Sequence, residues 1–326
     1  MSSRISRRGF VVSLGSLAVA STPRLRMLAD ACEPTYLASE LADLDRPLKP
    51  PSRQIRFGYA AITWGGDDLR AIREIGEVGF SGIQLRSPIL KDFGDKPSEL
   101  AGILKRNKLV FVALSGGGPR GDSYNATEEI ETQVKHAAFM RGAGGLYLQM
   151  TDSARPKDGK PSAKDFKSLG RLLSEIGKRT ADLGIPVAYH NHMRSLGEAP
   201  DELDALMDAA DPRYVKLLLD VAHFVQGGGD PVKAIKTYRD RILFLHIKDV
   251  EDLVPRPVDE RASPYRFVEL GRGRVDLPGV FSALEEIKFQ GWAIVELDSV
   301  PDKTGTPKDS AVISKKYLVE KLLVKL

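Results

Sequence analysis

The chain has 326 residues, 42% hydrophobic and 28% charged; the length suits one large α/β barrel or two smaller domains, and the composition excludes a polytopic membrane protein and a largely disordered one. One cysteine excludes an intramolecular disulfide and a cysteine zinc cluster. The net charge of +4 sits at the N-terminus: residues 1–31 hold five arginines and one acid, and the remaining 43 basic and 43 acidic residues speak against a nucleic-acid groove.

Arg7 and Arg8 precede an apolar run from Phe10 to Ala20, too short and too rich in small residues for a membrane span. The pattern resembles a twin-arginine export signal, so residues 1–31 are expected to be a Tat-type signal peptide and the mature protein periplasmic, without a stable membrane anchor. Cleavage is expected near residue 20, after Ala18-Val19-Ala20, or near residue 31, where Cys32 also admits a lipoprotein site. Residues 32–54 hold Pro34, Pro47, Pro50 and Pro51 without a period and read as a linker or strap. The folded body is expected to span residues 55–326.

Eight short apolar runs follow: Ile55–Ile62, Gly82–Arg86, Leu109–Leu114, Gly145–Met150, Ile185–Tyr189, Val215–Asp220, Ile242–Ile247 and Trp292–Leu297. Segments of helical period separate them, among them Asp67–Val78, Glu128–Arg141, Asp165–Leu183, Pro200–Ala210, Pro231–Tyr238 and Leu277–Ile287. Eight such alternations predict a (β/α)8 TIM barrel. No Gly-x-Gly-x-x-Gly follows the first strand, which weakens an open doubly wound sheet. A final helix, about Ser310–Leu326, is predicted to bury Val312, Ile313, Tyr317, Leu318, Leu322 and Leu323.

Barrel chemistry gathers where strands end. Strand five ends in Tyr189-His190-Asn191-His192, strand six in Asp220-Val221-Ala222-His223, strand seven in His246-Ile247-Lys248-Asp249 and strand eight in Glu296-Leu297-Asp298. Four of the five histidines lie at these ends. Taken alone, Asp220 reads equally well as a helix cap. Together, His190, Asp220, His246 and Glu296 form a candidate mixed nitrogen and oxygen site for one divalent ion: manganese, cobalt, zinc, iron or magnesium. His192 lies two residues after His190, on the same face of an ideal strand, so either could be the ligand. Trp64 and Phe224 lie near strand ends and could stack on a sugar. A charged, proline-containing insertion, roughly Glu251–Arg266, stands above the site.

These motifs, with the Gly-rich stretch Leu270–Asp276, resemble the xylose-isomerase-like TIM barrels of the sugar phosphate isomerase/epimerase superfamily, over about Ile55 to the C-terminus. Ile62-Thr63-Trp64 and the closing Val295-Glu296 look closest to its inosose dehydratase branch. The resemblance implies that Asp220, His246 and Glu296 are metal ligands and that His190 stands where ketose epimerases carry a ligating Glu. It also implies that His223 and Lys248 face substrate. Glu296, or one of His192 and His223, is the expected base, with Lys248 on a developing oxyanion. His190 in place of one glutamate, and Gln84 where many relatives carry Glu, together put the symmetric two-carboxylate epimerase mechanism in doubt.

The leading expectation is a metal-dependent isomerase or epimerase that removes a proton beside a carbonyl of a sugar, keto-sugar or cyclitol. The alternative is a lyase, a dehydratase working by β-elimination on an inosose or a 3-keto-glycoside. An apurinic endonuclease of the same fold would need three metals and a basic groove, and a non-catalytic carbohydrate-binding barrel is a further alternative. No nucleic-acid partner is expected, and a homo-oligomer is compatible with the sequence.

Overall fold

The computed structural model describes residues 55–118, 126–153, 155–156, 160–255 and 263–325. The expected signal peptide and linker lie outside the described residues. No described helix is long and apolar enough to cross a membrane.

The strands of the barrel are β1 (Ile55–Ala60), β2 (Gly82–Arg86), β3 (Val110–Ser115), β4 (Tyr147–Met150), β5 (Val187–His190), β6 (Val215–Asp220), β7 (Ile242–Ile247) and β10 (Gly291–Val295). Every neighbouring pair is parallel, and β10 closes the ring between β7 and β1. These are the eight runs expected, so the chain folds as a (β/α)8 barrel. The strands are nearly continuous in buried residues because one face meets the barrel interior and the other the surrounding helices.

Helix ends follow local chemistry. Helix α1 (Asp68–Val78) starts where Asp67 accepts the Arg70 N–H at 3.2 Å and stops at Gly79, whose φ of 93° suits glycine. The helix Ala163–Ala181 opens on a Ser162/Asp165 capping box, and the last helix, Pro307–Glu320, on a Thr306/Asp309 box. That last helix buries Leu318 and packs Tyr317 against the core as predicted, and Leu322 just beyond its end is buried too, but Val312, Ile313 and Leu323 are not. Ala311, Ser314 and Leu318 face the barrel, whereas Val312 and Ile313 are exposed. In the first turns the small residues Ala311 and Ser314 take the inward positions, so apolar spacing was right only for the later part of the stripe. The helix Pro97–Arg106 was not anticipated.

The barrel floor is filled by side chains. Trp292, Phe244, Leu218, Ile294, Val112 and Ala188 form one buried cluster, and Tyr147 stacks on Phe244 with ring centroids 5.3 Å apart. Gly58 and Gly82 make this possible. A Cβ at Gly82 would stand 2.4 Å from the Trp292 ring, and one at Gly58 would stand 2.8 Å from the Gly82 carbonyl oxygen. Arg56 covers Trp292 at 4.6 Å from the ring centroid.

The insertion after β7 contains an antiparallel hairpin, β8 (Asp249–Asp252) with β9 (Tyr265–Val268). Asp249 roots it. Its carboxylate accepts the backbone N–H groups of Val250, Gly271, Gly273 and Val275 at 2.9–3.1 Å, tying the Gly-rich stretch to the end of β7.

Candidate metal centre

Asp220 and His246 are register partners across β6 and β7, and His246 is the partner of Ile294 on β10. The strand order therefore carries His190, Asp220, His246 and Glu296 to one place. Each offers a ligand atom within 4.8 Å of every other, and all four are buried.

Asp220 serves both readings made of it. Its Oδ1 accepts the Ala222 and His223 N–H groups at 2.9 and 2.8 Å and caps the helix Val221–Gln226. Its Oδ2 faces His190 Nε2 at 3.4 Å and His246 Nδ1 at 3.5 Å. Asn191 holds the aspartate by its backbone, donating to the Asp220 carbonyl at 3.1 Å and accepting its N–H at 2.9 Å. Replacing Asn191 by Ala is expected to lower metal affinity about 10- to 100-fold, as loss of an orienting partner does, and calorimetric titration with a divalent metal checks it.

His246 Nδ1 is buried without a hydrogen-bond partner, 3.4 Å from Glu296 Oε1. An orphaned imidazole nitrogen between two carboxylates fits a divalent cation, and the donor set is borderline-hard. The charges support this. Burial opposes charge on His246, but Glu296 and Asp220 outweigh it and raise its pKa to about 9. Burial also opposes charge on the carboxylates. His246 and Lys248 hold Glu296 well below the usual range, and His223, His190 and His246 do the same for Asp220. The anions thus hold a proton on His246 where a metal would otherwise sit. Metal binding must displace that proton, so affinity is expected to rise about tenfold per pH unit up to pH 9 and level off above it. A pH series of binding constants with flat affinity from pH 6 to 9 would contradict this.

Lys248 is fully buried and salt-bridged to Glu296 at 3.1 Å and Asp298 at 2.6 Å. Burial works against its ammonium, yet the two acids raise its pKa above the ordinary lysine value. Its Nζ also stands 3.3 Å from His223 Nε2 and 4.0 Å from the Phe267 ring centroid. Burial drives His223 well below the usual imidazole value, against the pull of Asp220.

Strand β5 ends at His190, and His192 lies beyond it, outside the cluster. The chain leaves the strand after His190, so His192 faces the neighbouring cavity and not the cluster. Half-buried, His192 stacks beside His223 at 3.9 Å between centroids, with Nδ1 2.7 Å from the Met193 carbonyl. It lines a cavity of about 170 Å³ together with His190, Glu296, Asp298, Gln84 and Gln149.

Trp64 does not reach this cavity. Its indole N–H donates to Glu74 at 2.7 Å and its ring meets Tyr59 edge-on, so it packs against α1, and Ile62 takes the place at the rim. Phe224 is likewise buried, beside Gly229. Sequence reasoning missed Phe267, Gln149 and the clamp made by Asn191. A Tyr-Arg-Phe-Val alternation was the only sign of β9, and neutral amides carry no sign of their own.

The family model described as xylose isomerase-like TIM barrel matches residues 71–316. An inosose dehydratase of Clostridium tetani is 26% identical over 304 residues, 83% of this chain and 98% of that one. One of Lacticaseibacillus casei is 28% identical over 296 residues, 81% of this chain and 96% of its own. Among solved structures, a probable 3-DHS dehydratase, AsbF from Bacillus anthracis, superposes with TM-score 0.68 at 17% identity, covering 81% of this chain and 98% of that one. An IOLI protein with a bound zinc atom gives 0.67 at 20%, covering 82% and 98%. With three quarters of its length inside the family match and the barrel closed as that family requires, the chain belongs to the xylose isomerase-like TIM barrels.

Proposed function

We propose that this protein is a metal-dependent lyase that removes water from an inosose or a related keto-sugar. The observation that carries this reading is the distribution of carboxylates. Glu296, Asp298 and Asp220 lie on one side of the site, and the wall provided by β2 and β4 presents Gln84 and Gln149. Epimerisation needs a second proton-carrying group on the opposite face of the substrate, and an amide cannot serve. Elimination needs one base and one acid. The relatedness to inosose dehydratases supports the same choice over the isomerase or epimerase expected first.

Asp220, His246 and Glu296, with His190 beside them, would hold the divalent ion, which would supply Lewis acidity at the substrate carbonyl. Glu296 is a poor base, because Lys248 and His246 stabilise its charge. His192 donates Nδ1–H to the Met193 carbonyl, which leaves Nε2 free to accept a proton. In the proposed step His192 Nε2 takes the proton from the carbon beside the carbonyl. That C–H pair forms the new C=C bond, and the hydroxyl on the next carbon departs as water with a proton that Lys248 Nζ passes on through Asp298, whose carboxylate lies 2.6 Å from Nζ and lines the cavity. The alkene carries a hydroxyl and tautomerises to a 1,2-diketone. Proton return from His192 to Lys248 through solvent resets the site. Glu296, Asp298 and the Phe267 ring hold the ammonium in place.

Incubation of the metal-loaded protein with inososes should give a diketone that condenses with o-phenylenediamine to a quinoxaline. A ketose epimer without dehydration would reject the lyase reading.

A further inference from the structure

Two primary amides join the two buried imidazoles of the cluster. His246 Nε2 lies 2.9 Å from Gln84 Oε1, Gln84 Nε2 2.7 Å from Gln149 Oε1, and Gln149 Nε2 2.8 Å from His190 Nδ1. All four side chains are buried. A carboxamide has one donor end and one acceptor end, so such a chain has a direction. Here His246 donates at one end and His190 accepts at the other. Turning both amides over reverses all three bonds, so that His246 accepts and His190 donates. Turning over one alone sets two NH₂ groups or two oxygens against each other in a buried place, where each loses its partner. Every fully bonded arrangement therefore gives the two imidazoles opposite roles.

Each imidazole has its second nitrogen in the cluster. His246 Nδ1 faces Glu296 and Asp220, and His190 Nε2 faces Asp220 Oδ2 at 3.4 Å. A neutral ring that donates at one nitrogen has a lone pair on the other, and a ring that accepts has a hydrogen there. Glu296 selects the direction. Its Oε2 lies 3.4 Å from Gln84 Nε2, and the reversed chain would put the Gln84 oxygen against that carboxylate.

We infer that Gln84 and Gln149 form a directional relay that makes His246 the one imidazole ligand of the metal, beside Asp220 and Glu296, and keeps His190 as a hydrogen-bond donor to Asp220. His190 is then a positioning residue. The inference rests on the reading of the cluster as a metal site, and it departs from the four-ligand set expected from the strand ends. It also gives the amide at position 84 a task that a carboxylate would undo. A Glu there would accept from both sides, let Gln149 turn over and free His190 Nε2 to ligate.

The test uses the full chain labelled with ¹⁵N-histidine, metal-free and zinc-loaded, with histidine resonances assigned by single substitution. His190 should be the Nε2–H tautomer in both states, and zinc should shift the His246 Nδ1 resonance and leave His190 Nε2 protonated. Gln149→Glu should accept from Gln84 Nε2 and from His190 Nδ1–H, invert the His190 tautomer, raise zinc affinity about tenfold and add a second imidazole to the zinc X-ray absorption signal. Gln84→Glu should do the same from the other end, and serves if the first variant does not fold. Zinc on His190 Nε2 in the unaltered protein, or an unchanged tautomer in both folded variants, overturns the inference. If zinc does not bind at all, the metal reading fails, and the metal-free spectra still decide whether the relay exists.

Discussion

Glu296→Gln is expected to lower kcat/KM by roughly 10³-fold or more, about 4 kcal/mol of transition-state stabilisation, and to empty the metal site. The substitution keeps the side chain's shape and removes its charge. His246 Nδ1 and Lys248 Nζ lose a shared anion at 3.4 and 3.1 Å. Lys248 keeps Asp298 at 2.6 Å, and His246 can become neutral, so the fold should survive with little change in melting temperature. Metal content and steady-state rates measured on the same preparation check the expectation. Full metal occupancy with normal turnover would remove Glu296 from the site.

Asp249→Ala should act in the opposite way, on stability first. Its carboxylate is the acceptor for four backbone N–H groups, and Asp249 is buried. Removing it leaves four donors without a partner. Water can reach those of Gly271 and Gly273, and those of Val250 and Val275 are enclosed. An overall loss of about 3–5 kcal/mol is expected, read as a lower denaturation midpoint. Asp249→Asn should cost about half as much, since its one amide oxygen serves two of the four donors. A loss under about 1 kcal/mol for the alanine variant would mean that the Gly-rich stretch is held by something else.

The barrel was legible because its signal is repeated. Eight apolar runs, each long enough for a buried strand, admit few folds, and four of them end in an acid or an imidazole. Those ends placed His190, Asp220, His246 and Glu296 together before any coordinates. What lay beyond the strands was less legible. His192 obeys a strand period only if the strand continues, and it stops at His190. Trp64 stands near a strand end, but a short turn of helix, Ala61–Trp64, directs its ring toward Glu74. Gln84 was noticed as a missing carboxylate. Its bonds to His246 and Gln149 join residues 162 and 65 positions away, which no local pattern reports. The exposed stripe on the last helix shows the same limit. Val312 and Ile313 are apolar and exposed, while Ala311 and Ser314 are buried on the same face as the predicted Leu318.

The aromatic floor built from Trp292, Phe244 and Tyr147 makes the barrel a blind well. Among the described residues this floor closes the barrel beneath the His190, Asp220, His246 and Glu296 cluster, so molecules would enter and leave at the other end. On the proposed chemistry, the diketone, the released water and the next substrate share that route. The product therefore competes directly with the substrate for the well, and a cell that lets the diketone accumulate slows the protein without any second site.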